Sequence, residues 1–161
     1  MMPIEERTAR EKIQHLRMSY CAHLDAMDLD ALVLLFTPRG ICDFGDRPTG
    51  GRWQGRDALR DFFGRHMRAR KEAFDTLHLM SNPWIRLIDR RHAAGRWYVS
   101  IMTQARRNIA GDEAAGPMPG PLSLLGVYED RYELLDGAWL FSEVRLHRIW
   151  PVRDAFEAFE A

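Results

Sequence analysis

The sequence predicts an α+β fold, in which N-terminal helices pack against a strongly curved, mostly antiparallel sheet that forms a half-open cone around a pocket. Three observations carry this. Apolar residues recur at three- and four-residue spacing through the first part of the chain. They alternate with a period of two through the remainder, and helices followed by a run of strands indicate α+β architecture. The alternating stretches are also long enough to curve around a helix. A length of 161 residues suits one domain, residues 1–161, with one hydrophobic core.

The first helix is expected from Thr8 to about Met27, where Ile13, Leu16, Tyr20, Leu24 and Met27 make one apolar stripe. Thr8 and Glu11 have the spacing of a capping box. "DLDALVLLFTPRG" reads as a second, short helix with Asp28 as its N-cap and Pro38 and Gly40 as its stop. "ICDF" is a short strand, and the turn-rich "GDRPTGG" follows it. A third helix lies in "GRDALRDFFGRHM", with Leu59, Phe62, Phe63 and Met67 as its buried face.

The strands follow. "WIRLIDRR" alternates, and Pro83 and Trp84 mark where the chain enters the sheet. In "AGRWYVSIMTQARR", Trp97, Val99, Ile101 and Thr103 oppose Tyr98, Ser100, Met102 and Gln104. "LLGVYEDRYELL" and "AWLFSEVRLHRIW" continue the pattern and are joined by the turn "DGA". The Gly/Pro/Ala-rich "NIAGDEAAGPMPGP" between the middle strands is expected to be a mobile loop or a cover. Large apolar residues on both faces of several strands fit burial on one side and an oligomer contact on the other, hence a homo-oligomer, dimer or trimer.

Composition narrows the function classes. Basic and acidic side chains balance at 23 each, which argues against nucleic-acid binding. The basic run "RHMRARK" fits the solvated end of a helix. No apolar run approaches the ~20 residues that span a bilayer. "MMPIEERTAREK" is charged and lacks an apolar core, so it is no secretory signal, and a soluble cytoplasmic protein is the simplest expectation. Cys21 and Cys42 belong to no CxxC or Cys/His cluster, so they read as small buried hydrophobes in a reducing compartment rather than metal ligands.

"TLHLMSNPW" raises the question of chemistry, because it places His78 inside an apolar run. Four pieces of the chain, "YCAHLDAMDLDALVLLF", "GRDALRDFF", "TLHLMSNPWIRL" and "GVYEDRYELLDGAWLFSEV", resemble in order and spacing the SnoaL-like branch of the NTF2-like superfamily. That branch includes scytalone dehydratase, bile acid 7α-dehydratase and hexachlorocyclohexane dehydrochlorinase. The resemblance implies a cone-shaped α+β barrel. It also implies an Asp near the end of the first helix, here Asp25, that orients a His at the start of a strand, here His78, as the base. A Tyr one turn before that Asp falls at Tyr20. The second histidine and the asparagine of scytalone dehydratase fall near Gln104 and Tyr128, so the base–carboxylate core is kept while the substrate-reading groups differ.

Such a set suits elimination of water or HX beside a carbonyl-activated carbon. Neutral imidazole has a reference pKa near working pH, and a carboxylate on its other nitrogen fixes the tautomer and stabilises the imidazolium. A tyrosine can hydrogen-bond the developing enolate or assist the leaving hydroxyl, and one such donor is commonly worth about 3 kcal/mol of barrier. The scheme needs no metal and no organic cofactor. Each residue also has a plainer reading: Tyr20 as a core tyrosine on the helical stripe, Asp25 as turn chemistry, and His78 as a hydrogen-bonded core histidine. His15, His23, His66, His92 and His147 are weaker candidates by position. Trp53, Tyr98, Met102, Gln104, Leu125 and Tyr128 are the lining candidates for a cyclic, partly apolar substrate, although alternation alone does not say which parity faces inward. Three functions stand: a cofactor-independent lyase or isomerase; a non-catalytic ligand-binding module or small subunit of a ring-hydroxylating dioxygenase-type assembly; and, on the same fold, a polyketide cyclase or hydroxylase accessory.

Overall fold

The computed structural model describes residues 3–45, 50–71, 74–105, 122–151 and 153–154. The "NIAGDEAAGPMPGP" loop and most of "GDRPTGG" lie outside them. Helix α1 spans Ile4–Asp25 and so starts four residues before Thr8. No side-chain hydrogen bond caps it, so the expected Thr8–Glu11 box does not form. Pro3 stands before the first turn with φ fixed at −55°, and Glu5 and Glu6 suit the positive end of the helix dipole. The buried stripe is Ile13, Leu16, Arg17, Tyr20, Cys21 and Leu24, a helical spacing with one charge in it.

Two bonds end the helix. The Asp28 N–H reaches back to the His23 carbonyl at 2.8 Å and the Met27 N–H to the Leu24 carbonyl at 3.3 Å, while Met27 takes the left-handed φ of 58°. The reversal leaves Asp25 at the very end of α1. Helix α2 (Leu29–Leu34) follows, its first turn capped by Asp28 Oδ1 accepting from the Ala31 N–H at 3.1 Å. It stops before Pro38. "FTPRG" joins strand β1 (Phe36–Asp43) instead, because Phe36 pairs with Phe141 and the register shifts between Phe36 and Ile41. A proline without an N–H is tolerated in such a bulge.

Strand β2 (Arg52–Gln54), helix α3 (Arg56–Lys71) and strands β3 (Phe74–Leu87), β4 (His92–Ala105), β5 (Leu122–Leu135) and β6 (Ala138–Trp150) complete the architecture. The strands form a six-stranded sheet in the order β2-β1-β6-β5-β4-β3. All neighbours run antiparallel except β1 and β6, which are parallel. The β5–β6 turn places Asp136 and Gly137 at φ 49° and 82°, the pair of positive angles that a two-residue hairpin demands. Register shifts interrupt the β3–β4, β4–β5 and β5–β6 ladders, and each such bulge bends a strand and raises its twist. The sheet thereby curves around the helices.

The chain does not enter the sheet at Pro83 and Trp84. Strand β3 begins at Phe74, and Pro83 sits within it, at the register shift between Ser81 and Trp84 where Asn82 adopts φ 51°. Strand β3 is the edge of the sheet, where a missing N–H costs least.

The inner face of the sheet carries Trp97, Val99 and Ile101 of β4, Tyr128 and Tyr132 of β5, and Phe141, Val144 and Leu146 of β6, all buried against the helical stripes. Gly95 is required here, since a Cβ would lie 2.8 Å from the Tyr132 ring. On the outer face Leu77, Leu79, Tyr98 and Trp150 remain 40–50% exposed. Among the described residues, no helix is long and apolar enough to cross a membrane.

Both cysteines are free and buried. Burial, only partly offset by the Arg17 charge, pushes the Cys21 thiol up from 9.0 to about 11. Between those values the folded chain keeps a proton that the unfolded chain has lost, so this contribution to stability is full below 9.0 and disappears as pH rises toward about 11. Urea midpoints measured on either side of that window should fall less in Cys21→Ala than in the native chain. An equal fall would remove Cys21 from the account.

Candidate active site

Asp25, at the end of α1, meets His78 in the first half of β3. Its Oδ2 accepts the His78 backbone N–H at 2.9 Å and its Oδ1 lies 2.5 Å from His78 Nδ1. Edge position explains the first contact: alternate N–H groups of β3 have no strand beyond them, and the carboxylate satisfies one. The second contact sets the tautomer. A carboxylate only accepts, so Nδ1 carries the hydrogen and Nε2 is left as the basic nitrogen. The His78 side chain is 2% exposed and that of Asp25 is 18%, which keeps the pair largely out of water.

His78 forms part of the wall of a cavity of about 180 Å³. The apolar wall comes from Leu24 of α1, Phe62 and Phe63 of α3, Ile101 of β4, Leu124 of β5 and Leu146 of β6. Register explains the opposite side: His78 pairs with Ile101, Ile101 with Leu124, and Tyr128 with Leu146, so adjacent strands present these residues together. The polar groups on the wall are Tyr20, His66, His78, Tyr128 and Arg148. Arg148 Nη1 also donates to the Phe44 carbonyl at 3.0 Å, which holds its guanidinium at the rim.

Tyr20 occupies both positions that the sequence left open. It is fully buried among Phe36, Phe63, Tyr128 and Phe141, with ring centroids 5.6–6.2 Å away, and it also contributes to the cavity wall. Its hydroxyl has no hydrogen-bond partner among the described residues. Burial first, then the neighbouring Tyr128, hold its pKa well above the ordinary phenol value against the opposing charge of Arg17. The group is therefore a protonated donor, not a base.

Of the lining candidates, Tyr128 faces the cavity. Trp53 stands one layer behind it, stacked on Phe62 at 3.6 Å and edge-on to Phe44. Tyr98, Met102 and Leu125 lie off the cavity because Ile101 and Leu124 take the inward parity. Tyr98 is 40% exposed on the outer face. The backbone of Gln104 pairs with Asp75, and its side chain is outside the described ones.

His66 and Arg148, by contrast, belong to the wall, although His66 was only a weaker candidate and Arg148 was none. His66 lies three and four residues after Phe63 and Phe62, on the same helical face, and that spacing was the available signal. His147 takes the other parity of β6 and pairs with Glu129 at 3.1 Å. Among the described residues, no group of three or more His, Cys, Asp and Glu side chains could hold a metal ion.

This architecture, with a carboxylate-bound histidine at the wall of an apolar cavity, has relatives. The chain matches the SnoaL-like domain over residues 5–145. It belongs to the SnoaL-like family. Among solved structures, this SnoaL-like chain is similar to a variant of Rv3472 from Mycobacterium tuberculosis, a protein of unknown function. The identity is 26%, with 92% of this chain and 76% of that chain covered and a TM-score of 0.71. It is similar to a candidate scytalone dehydratase from Novosphingobium aromaticivorans at 22% identity, covering 98% and 95% with a TM-score of 0.75. A hexachlorocyclohexane dehydrochlorinase (LinA) type 2 shares 18% identity over 98% and 97% of the two chains, with a TM-score of 0.71. At these identities the last two establish the shared fold. No match was found among curated proteins.

Proposed function

We propose that this SnoaL-like chain is a cofactor-independent lyase of the dehydratase type, or an isomerase, acting on a cyclic, partly apolar small molecule. The observation that carries the reading is the Asp25–His78 pair set in the wall of an apolar cavity that also contains Tyr20. In the proposed step, His78 Nε2 takes the proton from the carbon beside a carbonyl. The C–H electron pair forms the enolate, whose collapse makes the new double bond and expels the β-hydroxyl. Protonation of that oxygen completes a molecule of water, with the Tyr20 hydroxyl as the donor, and the proton held by the His78 imidazolium then passes to the Tyr20 oxygen, which restores both groups. Asp25 stabilises the imidazolium meanwhile. Relatives named as a dehydratase and a dehydrochlorinase share the fold, and both names denote eliminations.

The test is a screen of hydroxylated cyclic ketones, read by absorbance of the conjugated product, with His78→Ala run beside the native protein. Loss of a general base should lower the rate by about 10²–10⁴-fold. Equal rates in the two proteins would exclude His78 as the base.

A further inference from the structure

We infer that the cavity beside His78 accepts a single six-membered ring bearing an oxygen substituent, and that Phe62 sets the limit against a second fused ring. The inference narrows the proposed reaction to one substrate class, and it rests on that reading in taking this cavity as the reaction site. Volume is the first ground. The space measures about 180 Å³. An apolar protein cavity of roughly 150 Å³ takes up benzene, so one ring with a small substituent fills this one.

The second ground is that the wall is braced. Phe62 lies flat against Trp53, with centroids 3.6 Å apart and planes inclined by 16°. Phe44 meets it edge-on at 5.6 Å and Phe63 packs at 5.0 Å, so the ring is held by neighbours on several sides. Across the cavity Tyr20 is fixed in the same way by its own aromatic contacts. Making room for a second fused ring would require Phe62 to leave these contacts, at the cost of the packing they supply.

The third ground is chemical. A hydrocarbon would leave the Tyr20 hydroxyl, which has no hydrogen-bond partner among the described residues, still without one. An oxygen substituent supplies an acceptor. The site therefore discriminates on two grounds, for polarity and against width.

Isothermal titration calorimetry with phenol, toluene and 1-naphthol tests both. In the native protein phenol should bind at least about tenfold more tightly than either competitor. Naphthol has the larger apolar surface, so an unrestricted apolar site would rank it first. Phe62→Ala should reverse the order of phenol and naphthol. Leu124→Ala provides a second opening of the wall should circular dichroism show Phe62→Ala to be unfolded. Naphthol binding as tightly as phenol in the native protein would overturn the inference, and so would absence of phenol binding. Because no turnover is measured, the two readings fail separately. The expected ranking without any elimination would sink the lyase and leave the ring site standing. Elimination from fused-ring ketones with tight naphthol binding would do the reverse.

Discussion

Asp25→Asn should leave the fold intact and lower elimination by roughly 10³–10⁴-fold, the order seen when a histidine base loses its orienting carboxylate. The reason lies in the two contacts that Asp25 makes with one residue. The His78 backbone N–H and the ring Nδ1–H both donate to it, one to each oxygen. An asparagine has only one oxygen. If that oxygen stays with the backbone N–H, the amide NH₂ faces Nδ1, which must then become an acceptor. The ring hydrogen moves to Nε2, the nitrogen assigned to take the substrate proton. The opposite amide orientation sets a donor against the backbone donor in a largely buried site, which costs about 1–3 kcal/mol for the unsatisfied group, so the first orientation wins. Ring ¹⁵N shifts of His78 report the tautomer without any substrate. Native protein should show hydrogen on Nδ1 and the variant hydrogen on Nε2. An unchanged tautomer together with an unchanged rate would refute the role given to Asp25.

That contact also shows where sequence reading stops. The residues are 53 positions apart, and nothing in their spacing brings a helix end to an edge strand. The expectation came through the resemblance to SnoaL-like proteins. Elements with a periodic buried face were legible without it: Leu59, Phe63 and Met67 of α3 are buried as their spacing requires, and the Asp-Gly pair made the β5–β6 turn. The start of β3 was misread because proline usually ends a strand, a rule that an edge bulge suspends. Strand parity was illegible for a different reason. Tyr98 and Trp97 are both aromatic, and only the ladder that sets Trp97 against Tyr128 decides which one turns inward. Arg17 escaped notice because a charge on an apolar stripe looks like a break in the pattern.

Arg17 should prove the most consequential charge for stability: Arg17→Met is expected to cost about 3–5 kcal/mol, as removal of one partner from a buried ion pair does. Its Nη2 donates to Asp130 Oδ1 at 2.7 Å with both side chains fully buried. Asp130 Oδ2 accepts from the Tyr132 hydroxyl at 2.7 Å, and the Tyr132 hydroxyl oxygen accepts from Trp97 Nε1 at 2.9 Å, so one buried chain of donors converges on the carboxylate. The guanidinium also lies 3.9 Å from the Tyr128 ring centre and 4.7 Å from that of Tyr20. Its Nε and Nη1 have no hydrogen-bond partner among the described residues, so the aromatic faces are its remaining electrostatic support.

Burial works against the Arg17 charge, yet the Asp130 carboxylate together with Tyr132, Tyr128 and Cys21 outweighs it, and the group stays protonated. Burial likewise pushes Asp130 up from 3.8 to about 6, with Arg17 and Tyr132 opposing. Removing Arg17 takes away the larger opposing influence, so Asp130 should hold its proton to still higher pH. The folded variant would then bind a proton that the unfolded chain releases near 3.8. The cost should therefore be small in acid and grow as pH rises through about 6 and beyond. Urea denaturation at acid and neutral pH measures this directly. Replacing both partners, Arg17→Met with Asp130→Leu, should recover much of the loss, since an apolar pair leaves no charge unmatched. A double variant no more stable than Arg17→Met alone would mean that the aromatic contacts, rather than the ion pair, account for what Arg17 contributes.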